Sequence, residues 1–111
     1  MAVGEITLLQ ETVTLSAAAT QYRGVRLTGA AVSAAGHGYP CATGGASGDA
    51  IPVVLLGVAI GEAGAAITAG ALLEFDSAGR FVTQSAGEIV GRALSAATGS
   101  GSLLEVFVIP N

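Results

Sequence analysis

The chain is 111 residues long, 51% apolar and 11% charged, with net charge −4 and no lysine; its cations are Arg23, Arg26, Arg80 and Arg92. This length makes one domain, and the missing lysine excludes a P-loop and a Schiff base. One histidine (His37) and one cysteine (Cys41) give no disulfide framework and too few ligands for zinc, and an acidic chain lacks the basic face that nucleic acid requires.

The first residues, Met-Ala-Val-Gly-Glu, hold no positive stretch ahead of an apolar run, so no secretory signal is read and a soluble cytoplasmic product is expected. Residues 5–16 (EITLLQETVTLS) are rich in β-branched side chains and carry no helix cap. Their alternation is broken: Ile6 and Leu8 point one way, Leu9, Val13 and Leu15 the other. The two ends of such a strand face different neighbours, or it is covered on both faces. Residues 22–28 alternate more cleanly, with Val25 and Leu27 on one side. From residue 29 to 49 the composition turns to Gly, Ala and Ser, which predicts a long loop with one short strand near 31–34. Loops of that length are functional or mobile in compact domains, so this one is a candidate contact surface.

Residues 51–60 (IPVVLLGVAI) are too short and too closely flanked by Asp49 and Glu62 for a membrane span, and predict a central strand with Pro52 near its start. Residues 63–73 are rich in alanine, but Gly64 and Gly70 limit them to at most one helical turn. Two hairpins follow. Strands at 71–75 and 80–84 flank Asp76-Ser77-Ala78-Gly79, a loop in which Asp76 bonds the turn amides and Gly79 takes a positive φ. Strands at 89–96 and 103–109 flank Thr98 to Ser102. Short strands at this spacing indicate an all-β barrel or sandwich. The expected organisation is an extended N-terminal arm and first strand over residues 1–20, then a single β domain over 21–111.

The chemistry-bearing residues are few. Cys41 lies four residues after His37, but Pro40 and the neighbouring glycines give no helix to orient a Cys–His nucleophile, so a small buried or incidental thiol is expected. The carboxylates are scattered singly, so no metal or other cofactor is expected. The glycines have the wrong spacing for a dinucleotide loop and serve turns and strand packing. With so few charges, each arginine is a candidate for an ion pair or an interface.

Four segments carry a family likeness: Ala65-Ala-Ile-Thr-Ala-Gly-Ala-Leu-Leu, Asp76-Ser-Ala-Gly-Arg-Phe-Val, Ile89-Val-Gly-Arg-Ala-Leu-Ser-Ala-Ala and Leu104-Glu-Val-Phe-Val. With Val25-Arg-Leu-Thr-Gly and Gly57-Val-Ala, they resemble the capsid cement or head decoration proteins of tailed bacteriophages. The stretch His37 to Cys41 departs from that pattern. The resemblance implies a small β-barrel or tulip-shaped domain that is not an enzyme. It implies an oligomer on the outside of the virion, bound between capsomers of the major capsid protein: a trimer on a quasi-three-fold axis, with a dimer on a two-fold as the alternative.

Composition points the same way. A small domain so poor in charge hides surface in a neighbour, and self-association follows. The run from Ala2 to Leu9 can add a strand to a capsid edge. The contact residues expected are Val3, Glu5, Ile6 and Leu8 on that run, Arg23 and Arg26 on the next, and His37 and Tyr39 in the long loop. Neither nucleic acid nor a membrane is an expected partner. Two other classes compete with this reading: a glycan-binding or adhesive module using the 29–49 loop, thin in aromatics, and a Cys41-dependent enzyme.

Overall fold

The β-branched runs become eight strands in the computed structural model, which describes residues 4–32 and 36–111. They are β1 (Ile6–Thr14), β2 (Gly24–Val25), β3 (Tyr39–Pro40), β4 (Ala50–Glu62), β5 (Leu72–Phe75), β6 (Phe81–Thr83), β7 (Gly91–Ala93) and β8 (Leu103–Val108). No helix occurs among the described residues, so the chain is all-β.

Six strands form one antiparallel sheet in the order β1-β4-β8-β7-β5-β6, and β2 and β3 pair beside it. The spine is β4, with β1 on one side (Ile6 opposite Val58, Thr14 opposite Ala50) and β8 on the other (Gly57 opposite Val108, Glu62 opposite Leu103). Pro52 sits in the part of β4 that precedes the junction with β8, where its missing N–H removes no bond from that ladder. The β1–β4 register shifts between Thr7 and Gln10. The cause lies partly at Gly57: its φ is +125°, and a Cβ there would stand 2.4 Å from the Ile6 carbonyl oxygen, so only glycine lets the strands approach.

In β8 the side chains alternate strictly. Leu104, Val106 and Val108 are buried, while Leu103 and Phe107 face out. The inward residues join Leu73, Phe75, Phe81 and Val90 in one core, whose other wall is Val13, Leu15, Val25, Val32, Tyr39, Cys41, Ile51 and Val53. The rings of Phe75 and Phe81 anchor it, their centroids 4.6 Å apart and tilted by 40°.

The hairpin at Asp76 forms as its residues predict. The Asp76 carboxylate accepts from the Ala78 and Arg80 amides at 2.9 Å each, and Gly79 has φ +77°. The run 22–28 does not persist as a strand. It stops at Val25 because the chain turns, Gly29 N–H donating to the Arg26 carbonyl at 2.8 Å, and Leu27 swings out to 48% exposure. Of the strand expected at 31–34, Ala31 makes a single bridge to Val25 and residues 33–35 lie outside the described residues. Residues 63–73 form no helix: they bend at Gly64 and Ala65, Ile67 is bridged to Ala97, and a turn at Ala69 and Gly70 is closed by the Ala71 amide donating to the Thr68 carbonyl at 3.1 Å.

The sheet is not a closed barrel. Its edges are β1 and β6, and one parallel bridge, Ala63 to Phe81, brings β6 back to the end of β4.

Candidate docking surface

β1 is two things along its length. Val13, with Leu15 just beyond the strand, is buried, whereas every side chain from Ile6 to Thr12 is exposed. This resolves the broken alternation: the C-terminal end faces the core, while the side chains of the N-terminal end are uncovered among the described residues, the Gly4 amide just ahead of them donating to the Glu105 carboxylate at 3.3 Å. Ile6 is 65% exposed and Leu8 68%. Among the described residues β1 pairs only with β4, so its far edge presents backbone donors and acceptors without a strand partner there. Glu5 lies at the head of this strand and is also exposed, its carboxylate accepting from the Thr7 hydroxyl at 3.3 Å. Val3 lies outside the described residues.

The two arginines of the next run are not equivalent. Arg23 pairs with Glu62 through two parallel bonds, Nε to Oε1 and Nη2 to Oε2, both at 3.1 Å. The hydrogen bond to Glu62 pushes the Arg23 pKa up, so the pair tethers the loop before β2 to the end of β4. Arg26 is half-buried in the turn, its N–H donating to the Ala30 carbonyl at 3.1 Å. Arg80 links two hairpin loops by bonding Asp76 (3.3 Å) and the Ser100 hydroxyl (3.0 Å). Arg92 stays exposed and donates to the Gly70 carbonyl at 2.7 Å.

Tyr39 is not a surface residue here. It is 4% exposed, and its hydroxyl donates to the Asn111 carbonyl at 2.9 Å while accepting from the Asn111 amide at 2.7 Å. The Asn111 side chain completes a clasp with the Gly38 amide (2.9 Å) and the Gly38 carbonyl (3.0 Å). His37, just before the clasp, is exposed. Thus the loop expected to offer both His37 and Tyr39 offers His37, and uses Tyr39 to hold the chain end.

Cys41 is 1% exposed, and its thiol donates towards the Thr20 and Arg23 carbonyls at 3.2 and 3.3 Å. Burial pushes its pKa up, the opposite of what a thiolate nucleophile needs. Among the described residues, no three His, Cys, Asp or Glu side chains cluster as a metal site.

A second set of surface groups lies outside the residues expected from sequence: the exposed apolar Leu94, Leu103 and Phe107. A signal for two of them was present. Every residue of β8 but Glu105 is apolar, so both faces of that strand need cover.

A family model of phage cement proteins matches residues 5–109. The chain belongs to that family. The match runs from the head of β1 to just past β8, so the uncovered strand lies inside it. No curated protein sequence matches this cement-family chain. Among solved structures, it is similar to the N base of head fiber gp8.5 in bacteriophage phi29. That likeness has a TM-score of 0.73 at 18% identity and covers 90% of this chain and 92% of that one. At this identity the likeness concerns the fold. The family is one of structural virion proteins, so a phage-head structural role follows from membership.

Proposed function

We propose that this cement-family chain docks on the outer surface of a phage capsid and holds neighbouring capsomers of the major capsid protein together. The observation that carries the reading is the free edge of β1, nine residues long, with Ile6 and Leu8 uncovered beside it. An extended capsid segment laid along that edge would gain main-chain hydrogen bonds, with the two apolar side chains supplying burial. Residues 1–20 then act as an arm whose inner end is held by Val13 and Leu15 and whose outer end makes the contact. Glu5, Ile6 and Leu8 belong to this contact. Arg23 and Arg26 act from behind it, where they order the turn around β2, and His37 lies at a second rim.

The chain works as a homo-oligomer on the exterior of the virion, after synthesis in the host cytoplasm. A trimer suits a quasi-three-fold position, and many copies per shell add avidity to a modest interface. The Ala63–Phe81 bridge supports a small barrel- or tulip-like shape for the curled sheet. A glycan-binding role is disfavoured because Tyr39, the aromatic that the 29–49 loop would offer to a sugar, is buried. Nothing in the buried, proton-retaining Cys41 favours catalysis.

The test is cosedimentation of the full chain with empty capsids of the phage that encodes it, before and after expansion. Binding to expanded shells only is expected; binding to neither form refutes the proposal.

A further inference from the structure

Residues directly opposed in an antiparallel ladder share a face. By the register, one row runs from Ile6 on β1 through Val58 on β4, Phe107 on β8 and Arg92 on β7 to Leu72 on β5. In the next row Ile60 opposes Glu105, and Leu94 continues it, its N–H bonded to the Glu105 carbonyl at 2.8 Å. This is the outward face of the sheet, opposite the core. Phe107 is 40% exposed, Leu103 43% and Leu94 45%. With the half-buried Val58, Ile60 and Leu72 beside them, these side chains expose on the order of 300 Å² of apolar surface, a size at which a patch on a soluble protein marks an interaction site.

We propose that a second copy of this chain covers this face, with Phe107 at the centre of the contact. The inference rests on the reading of the chain as a self-associating capsid protein and adds which surface does the associating. Two observations select a copy of the chain over the capsid. A chain with 11% charged residues has little charge to keep such a band in solution, and it exists free before a shell is ready to receive it. A copy is the partner present at that stage. The charges of the face also suit a copy. Arg92 and Glu105 stand on adjacent strands, and neither belongs to the two ion pairs of the described residues, Arg23–Glu62 and Arg80–Asp76. On this face Glu62, opposite Leu103, is neutralised by Arg23 and Glu74 is buried, so the exposed charges are Arg92 and Glu105, which balance although the chain carries −4. Two copies then meet without repulsion, and Arg92 of one can face Glu105 of the other, whose carboxylate within the protomer accepts from the Gly4 amide at 3.3 Å.

The experiment is the mass of the full chain in solution by light scattering, without capsids. The wild type is expected at a multiple of 10.7 kDa. Phe107→Glu is expected to shift it to the monomer, weakening association by roughly thirtyfold or more, as for a central contact residue. Leu27→Glu, at a 48% exposed residue in the turn after β2, is expected to keep the oligomer. If Phe107→Glu does not fold by circular dichroism, Leu94→Glu makes the same test. Arg92→Glu should loosen the oligomer and Glu105→Arg in the same chain should restore it; no restoration overturns the second copy as occupant. A monomeric wild type, or an unchanged mass for Phe107→Glu, also overturns the inference. A monomeric wild type whose capsid binding is lost in Phe107→Glu assigns the face to the capsid, which overturns this inference and leaves the docking proposal standing. A wild-type oligomer that binds no shell does the reverse.

Discussion

Deleting residues 2–9 should separate docking from folding. From Gly4 to Leu9 every side chain is exposed, so the truncation empties no core, and Val13 and Leu15 keep their places. The structural loss is the ladder at Ile6–Val58, Thr7–Gly57 and Leu9–Leu56. At a net 0.5–1.5 kcal/mol per hydrogen bond, and about one bond per pair, this edge contributes roughly 1.5–4.5 kcal/mol. That lies within the roughly 5–15 kcal/mol that holds a domain folded. The docking loss is of similar size. Full burial of an aliphatic side chain is worth about 1.5–3 kcal/mol, and Ile6 and Leu8 are 65% and 68% exposed, so covering both contributes about 2–4 kcal/mol. That is roughly 30- to 1000-fold in Kd per subunit. Circular dichroism melting should show a cooperative transition at lower Tm, and cosedimentation titrations on expanded capsids should show the weaker binding. A truncated chain that binds as tightly as the full one refutes the edge-docking argument. Loss of cooperative melting refutes the claim that this segment stands outside the core.

Tyr39→Phe removes the hydroxyl that joins both main-chain groups of Asn111 and should lower stability by about 1–2 kcal/mol, or about 4–8 °C in Tm per kcal/mol, with capsid affinity unchanged. A drop in affinity at unchanged Tm would make Tyr39 a contact residue after all. Phe81→Ala deletes half of the tilted ring pair at a fully buried site and should cost about 3–5 kcal/mol in urea unfolding. The Cys41 thiol keeps its proton more tightly folded than unfolded, so above the ordinary thiol pKa the native state binds more protons and stability must fall as pH rises. The contribution is complete below pH ~8.5, and Cys41→Ala should flatten the decline above it. An unchanged slope in that variant would assign the decline to other groups.

The parts legible in the sequence are those whose cause is local. Asp76 and Gly79 name their turn because the carboxylate and the positive φ act within four residues, and the alternation of β8 announces which side chains go inward. What escaped is set by distant partners. The run at 22–28 has a strand's pattern, yet the backbone bond from Gly29 to Arg26 bends it after Val25. Tyr39 reads as a loop aromatic available for contact, and only Asn111, far along the chain, makes it a buried anchor. For the candidate surface, the break in alternation at Ile6 and Leu8 is legible in the sequence. It leaves open whether the strand is covered on both faces or its ends face different neighbours, and only the packing of Val13 and Leu15 separates the two. The outward row through Phe107 is not legible, since it exists only once β1, β4, β8, β7 and β5 are in register.

The position of β4 also shapes how the molecule folds. Its two ladder partners come from opposite ends of the sequence, Ile6 meeting Val58 and Gly57 meeting Val108. No local hairpin therefore completes the spine; both neighbours arrive by closing long loops. Topologies dominated by such distant pairings fold in about milliseconds to seconds rather than microseconds. While β4 waits, its proline-free apolar run from Val53 to Ile60 is an unpaired strand with the composition of an aggregation site. The yield of usable cement during infection then depends on a kinetic race, between β8 reaching β4 and one nascent chain reaching another.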